Sequence, residues 1–400
     1  MKDLRIPHNY NDPLATPLSF DVSSLSTAIC PVRVMLSKHA EVITLLPNSV
    51  TQERGSVVHG VLKERDTSSL DAIECRQLID EIVSRRCYPK TNPNSVMVGD
   101  RFEQFFSLSE WNKRASWILK LNTEQYNYPK FVRRSSTSNR QGSLDREILE
   151  DQLPSPGPEA WVASRKLKLK GKIDQVVMDP DGSWQLIEYK TRNIFTPDGQ
   201  FCESTKAQLL FYALIVRQLS PNDSIKLIAY GRESIPFEFA FDSKAELEAK
   251  ELYERQVALF PSDSTICVQR DAKPSSECKS CQSRPCCPAY HDWAQQCWGD
   301  EEKSDDCPLD TWGVVTDVRS VNGYPNGLVY LEDATGRNVL LRYLHPQVVK
   351  EPLISGMKIW CYEMKTDARS KLHPRDFFHH RQDPKKVYES AVASRIYYSV

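Results

Sequence analysis

Between residues 167 and 190 apolar and polar positions alternate with a period of two. Leu167, Leu169 and Ile173 mark one arm, Trp184 and Leu186 the other, and Asp179-Pro180-Asp181-Gly182-Ser183 supplies turn chemistry between them. The pattern predicts a tight antiparallel hairpin. With Met178 paired to Trp184, Asp174 falls opposite Glu188, and Lys190 shares the face of Glu188. Side chains facing each other across such a pair have Cβ atoms about 4.5–5.5 Å apart, close enough for two carboxylates to share one Mg2+ or Mn2+.

Elsewhere the period lengthens. Residues 20–86 read largely helical, with Ser26 or Thr27 expected to cap a helix from Ile29 to Leu36 and Ser69 one from Asp71 to Arg85. Residues 99–127 are aromatic-rich, with Phe102, Phe105, Phe106, Trp111, Trp117 and Tyr126 expected on a core face. The stretch from Arg133 to Ser143 has no apolar periodicity and is expected to be a mobile basic loop. After the hairpin a helix is predicted over Glu203–Leu219, strands at Lys226–Tyr230 and Ser234–Phe241, and a helix from Ser243 to Leu259. Pro261 and Pro274-Ser275-Ser276 mark the connection to a cysteine-rich segment, and from Trp312 the chain changes to short strands: Trp312–Val321, Leu328–Glu332, Asn338–Tyr343 and Lys358–Met364. No internal repeat of useful length is present.

Composition narrows the class only a little. Four hundred residues at 40% hydrophobic content suit two domains, and 52 Lys and Arg against 53 Asp and Glu leave a net charge of −1, so any nucleic-acid site must be a local basic patch. The first residues lack the apolar stretch of a signal peptide, and no run of eighteen apolar residues occurs. A soluble, intracellular protein, cytoplasmic or nuclear, is expected. Twelve scattered cysteines do not resemble a disulfide scaffold, and a close cluster of them suggests metal binding.

Ahead of the hairpin, Arg54-Gly55-Ser56-Val57-Val58-His59-Gly60 places a histidine at the expected start of a short apolar helix; after it, Gln208 and Tyr212 lie four apart on one helical face. Gly55-x3-His59, Gly171-x2-Asp174, Glu188-x-Lys190 and Gln208-x3-Tyr212, in that order, resemble the RecB-like branch of the PD-(D/E)XK nucleases over roughly residues 24–290. Order carries the inference, because each motif alone is commonplace. The resemblance implies an α/β, restriction-endonuclease-like core with a central mixed sheet flanked by helices. It implies that His59, Asp174 and Glu188 hold the divalent metal, that Lys190 assists the attacking water, and that Gln208 and Tyr212 contact the DNA end. Glu159 is a looser match to an acidic residue ahead of the hairpin in relatives.

Cys278-x2-Cys281-x5-Cys287 lacks one thiolate for a four-cysteine site, and Cys30 offers it. A single early cysteine with this late motif resembles the iron-sulfur subgroup of these nucleases, which includes the CRISPR-adaptation nucleases, the AddB subunit and the nuclease domain of replication helicase-nucleases. The resemblance implies a 4Fe-4S cluster on Cys30, Cys278, Cys281 and Cys287 that staples the ends of the domain; Cys286 is a substitute ligand, and spacing alone leaves zinc open. Closing so long a loop would restrict the unfolded chain by on the order of 5 kcal/mol if it acted like a disulfide.

The expected organisation is a nuclease domain over residues 1–305 and a small β domain over 306–400, laid out like an oligonucleotide-binding barrel. There Tyr330, Arg337, Arg342, Tyr343 and Lys365 are candidates to bind nucleic acid, or the barrel docks a partner. His373, His379 and His380 are not expected to ligate metal. Two readings follow. One is a Mg2+- or Mn2+-dependent DNA exonuclease acting on single-stranded ends by metal-activated water. The other is a binding subunit of a DNA-processing, repair or antiviral defence complex. The sequence has no helicase P-loop, so unwinding would fall to a partner.

Overall fold

Two large β-sheets and a small two-stranded one organise the described residues. A computed structural model describes residues 13–37, 39, 42, 50–64, 71–87, 108–121, 150–232, 236–261, 265–298, 309–321, 323–342, 344, 349, 352–366, 386–389 and 395–398. The expected basic loop at 133–143, Phe102, Phe105, Phe106, Tyr126, Tyr343 and the three late histidines lie outside these residues.

In chain order the elements are β1 (Leu14–Ala15), β2 (Phe20–Asp21), α1 (Val22–Leu25), α2 (Pro31–Leu36), α3 (Val50–Glu64), α4 (Ala72–Cys87), α5 (Leu108–Leu121), β3 (Gly157–Ser164), β4 (Leu169–Met178), β5 (Trp184–Tyr189), α6 (Glu203–Leu219), β6 (Ile225–Tyr230), β7 (Phe237–Ala240), α7 (Ser243–Val257), β8 (Thr265–Ile266), α8 (Val268–Asp271) and α9 (Pro288–Trp298). The C-terminal sheet follows as β9 (Thr311–Val321), β10 (Tyr324–Asp333), β11 (Asn338–Arg342), β12 (Lys358–Tyr362), β13 (Lys365–Thr366), β14 (Lys386–Glu389) and β15 (Arg395–Tyr398).

The first sheet runs β2-β4-β5-β6-β7, with β3 added antiparallel to β4. Pairing is parallel for β2–β4 and β5–β6 and antiparallel for β4–β5 and β6–β7. Both faces are covered. One packs on α6, where Leu209 to Val216 join Val162, Ile173, Leu186 and Leu227 in the main core. The other packs on α3, α4 and α5, where Val57, Val61, Ile79, Trp111, Trp117 and Ile118 meet Ile187, Tyr189, Ile228 and Tyr230. Central strands covered on both sides lose the alternation of a half-exposed strand, and β6 accordingly runs apolar and buried from Leu227 to Ala229. This α/β arrangement, a mixed sheet flanked by helices, is the expected core.

Several local expectations shift. Helix α3 begins at Val50, so His59 sits in its C-terminal half rather than at its start. Helix α4 is capped by Asp71, whose Oδ1 accepts from the N–H groups of Ile73 and Glu74 at 2.8 Å, while Glu74 Oε2 accepts from Asp71 N–H at 3.1 Å. Helix α2 starts after Cys30 with Pro31 in its first turn, and neither Ser26 nor Thr27 caps it.

The C-terminal strands form a path, β13-β14-β11-β10-β9-β12-β15, and among the described residues no pairing closes that path into the expected barrel. Tyr330 is buried beneath the Arg319 guanidinium, and Arg337 is tied to Asp333 and to the Trp298 carbonyl. Neither side chain is therefore free to take up nucleic acid, contrary to expectation. Trp312, Tyr362 and Tyr397 of this sheet belong to the main core, where Trp312 packs on Trp298 and Tyr362 hydrogen-bonds His291 at 2.9 Å. No helix among the described residues is long and apolar enough to cross a membrane.

Candidate active site and cysteine clasp

The hairpin register is the expected one, Met178 with Trp184 through Gln175 with Ile187. The ladder stops there. Beyond it β5 stays with β6, Glu188 beside Ala229 and Tyr189 beside Tyr230, while the start of β4 pairs with β2 at Leu169 and Lys170. The two strands part at Asp174, whose Oδ2 accepts from the Tyr189 N–H at 2.8 Å. Asp174 and Glu188 thus meet across a fork rather than across a ladder rung.

Three further side chains, His59, Lys190 and Gln208, converge on the two carboxylates of that fork. His59 Nδ1 lies 3.5 Å from Asp174 Oδ1. Lys190 Nζ reaches Glu188 Oε1 and Gln208 Oε1, each at 2.7 Å, and Gln208 Nε2 donates to the same Glu188 oxygen at 2.8 Å. The other Glu188 oxygen is buried without a hydrogen-bond partner. Burial raises Glu188 to about 7, with the Asp174 charge adding to it and Lys190 opposing. Burial raises Asp174 to about 6, Lys190 and the Tyr189 N–H opposing and Glu159 adding. Burial also lowers His59, so its imidazole is neutral at pH 7. Two carboxylates that resist joint ionisation, an orphaned carboxylate oxygen and a neutral imidazole form a donor set suited to a hard divalent cation. Among the described residues, as they stand, no three His, Cys, Asp or Glu side chains are drawn in to ion-binding spacing.

Gln208 and Tyr212 are buried, and their polar atoms turn inward. Tyr212 OH donates to the Lys172 carbonyl at 2.8 Å, tying α6 to β4 two residues before Asp174, and Gln208 Nε2 lies 3.3 Å from that hydroxyl. Glu159, at a left-handed φ of 52°, pairs with Lys172, and both act electrostatically on His59. The sequence carries a basic run around it, with Arg165, Lys166 and Lys168 in the turn before β4 and Lys170 and Lys172 alternating along the strand into Asp174. Alternating cations on a strand were visible there, but they look like any solvated face.

The four cysteines come together across the length of the chain. Cys30, Cys278, Cys281 and Cys287 line one apolar cavity between α2 and the loop preceding α9, with Arg33 and Tyr290 also in its wall. All four are free thiols. Cys286 does not line this cavity. Arg33 donates to Ser280 Oγ at 3.0 Å, and the Lys273 N–H approaches Cys30 Sγ at 3.4 Å. Burial raises Cys278 to about 11 and lifts Cys281 and Cys287 as well, with Cys30 adding to all three shifts.

Residues 20–288 match the PD-(D/E)XK nuclease superfamily. No curated protein matches. Among solved structures, one titled "Crystal structure of SSO0001" aligns at 16% identity over 69% of this chain and 88% of that one, with a TM-score of 0.26.

Proposed function

The chain belongs to the PD-(D/E)XK nuclease superfamily, and from that premise we propose that it is a Mg2+- or Mn2+-dependent DNA exonuclease acting on single-stranded ends. The observation that carries the catalytic reading is the buried, unpartnered oxygen of Glu188 at the fork with Asp174. In this reading Asp174, Glu188 and His59 hold the cation. The cation supplies Lewis-acid stabilisation of charge building on the scissile phosphate. Lys190 spends two donors on Glu188 and Gln208, leaving its third N–H for the attacking water or a phosphate oxygen. Water attacks phosphorus, the sugar oxygen leaves, and burial of the site strengthens each of these contacts.

The thiol cavity supports placing the chain in the RecB-like iron-sulfur subgroup. Four soft donors from both ends of the domain suit a 4Fe-4S cluster or zinc, and a bound cation would offset the thiols' reluctance to ionise. We set the nuclease domain at residues 1–305 and a partner- or nucleic-acid-binding β unit at 306–400.

The test is degradation of end-labelled linear and closed circular single-stranded DNA with Mn2+, comparing the native chain with Lys190→Ala. Loss of the linear strand alone, abolished by the substitution, is expected and gives the polarity. Inertness of the native chain would overturn the reading in favour of a binding subunit, and attack on circles would overturn the exonuclease assignment. Brown colour on anaerobic purification is expected of the clasp; stoichiometric zinc in a colourless protein would decide for zinc.

A further inference from the structure

From Leu169 to Asp174 burial alternates along β4, with Leu169, Gly171 and Ile173 turned into the core and Lys170, Lys172 and Asp174 on the other face. Arg165, Lys166 and Lys168 extend that row around the β3–β4 connection, all three exposed. Among the described residues no ion pair engages Lys166, Lys168 or Lys170, although Asp21 lies beside Lys170 in the β2–β4 register. Five cations thus fall within residues 165–172 of a chain whose net charge is −1. Directly across from Lys172 on β3 is Trp161, 51% exposed and in no ring contact among the described residues. Facing residues of an antiparallel pair project to the same side, so Trp161 shares the lysine face.

Lysines guarding a sheet edge would explain part of this, but β4 is an interior strand and the edge strand carries the exposed tryptophan. A large aromatic face beside a row of cations is instead the pairing used to hold single-stranded nucleic acid, the ring stacking on a base and the cations following phosphates. At about 3.3 Å per residue the row from Lys168 to Asp174 spans about 20 Å, the reach of a few nucleotides.

We propose that this face is the substrate lane: Lys166, Lys168 and Lys170 track the phosphates of a single strand and Trp161 stacks an unpaired base just ahead of the metal site. The inference rests on the nuclease reading and adds the route by which substrate reaches it. Stacking demands an unpaired base, so the lane would itself select single strands over duplex.

The test uses the full chain with Ca2+ in place of Mg2+ and a fluorescein-labelled thymidine strand of about 20 nucleotides, followed by anisotropy over a salt series. Trp161→Ala is expected to weaken binding roughly tenfold, and Trp161→Phe to retain most of the affinity. Lys166→Gln with Lys168→Gln is expected to reduce the slope of log affinity against log salt by about 1.4, at about 0.7 per phosphate contact. Unchanged affinity in Trp161→Ala, or an unchanged slope in the double variant, overturns the lane while leaving the nuclease reading intact if the native chain still binds and cleaves. A native chain that neither binds nor cleaves overturns both.

Discussion

The ring of Tyr212 lies where a side chain on residue 171 would have to sit: a Cβ on Gly171 would come within 2.7 Å of Tyr212 Cε1 and 3.2 Å of Val22 Cβ. The glycine three residues before Asp174 is therefore a packing requirement, which lets α6 lie against β4 and brings Tyr212 OH to the Lys172 carbonyl. Gly171→Ala should destabilise the fold by about 1–3 kcal/mol through overpacking. It should also lower cleavage by shifting Asp174 against Glu188. Urea unfolding and single-turnover cleavage check both; a variant as stable and active as the native chain would show that the ring moves aside at no cost.

The carboxylate pair makes stability depend on pH. Asp174 at about 6 and Glu188 at about 7 both stand above their ordinary values, so the folded, metal-free protein binds protons more tightly than the unfolded chain. Their contribution is fully present below the unfolded values near 4 and is lost as pH rises through 6 and then 7. Between about pH 5.5 and 8, in chelator, these groups should remove on the order of 2 kcal/mol, measured by urea unfolding, and Glu188→Gln should abolish most of that change. Adding Mg2+ at the higher pH should restore stability to the native chain but not to the variant.

Gln208 offers a way to separate positioning from DNA contact. Its amide joins Lys190 to Glu188, and it is only 8% exposed. Gln208→Leu should lower kcat by about 10- to 100-fold, as loss of a partner behind a metal ligand does, with KM for DNA nearly unchanged. A rise in KM at constant kcat would instead place Gln208 on the DNA end.

Much of this site was legible because short-range patterns enforce it. Alternation across Leu169–Ile173, together with the turn chemistry of Asp179–Ser183, fixes the hairpin register. The unbroken apolar run in Glu203–Leu219 likewise fixes α6, whose bounds match the reading. What escaped depends on distant chain. The fork at Asp174 exists because β2, from residues 20–21, takes the place beside Leu169 that β5 leaves vacant. Gly55 and Gly60 disguised the length of α3 around His59; no close contact crowds Gly55, and Gly60 admits the approach of Ile82. The lysine row was overlooked because its meaning lies in Trp161, on a strand that the alternation of β4 does not reveal.

Arg284 ties the cysteine clasp to the C-terminal sheet. Its guanidinium is 2% exposed and donates to the Lys279 and Cys281 carbonyls at 3.2 and 2.9 Å on one side and to Asp310 at 2.6 and 3.1 Å on the other. Asp310, fully buried, also accepts from Tyr290 OH at 2.5 Å and from the Glu363 N–H at 2.7 Å. Asp310 opposes the burial that would otherwise lower the Arg284 pKa, so the guanidinium stays charged. Removing one partner strands the other charge in the interior, so Arg284→Ala and Asp310→Ala should each destabilise by about 3–5 kcal/mol. Because the same arginine holds the carbonyls of the loop carrying Cys278 and Cys281, Arg284→Met should also loosen the four-cysteine cavity and release the metal proposed for it more readily to chelator. Asp310→Asn removes charge from the far side alone and should leave metal retention closer to native. Comparing the two variants by thermal unfolding and by metal content after chelation tests the coupling. Equal metal retention with equal loss of stability would mean that Arg284 anchors the C-terminal sheet without supporting the clasp.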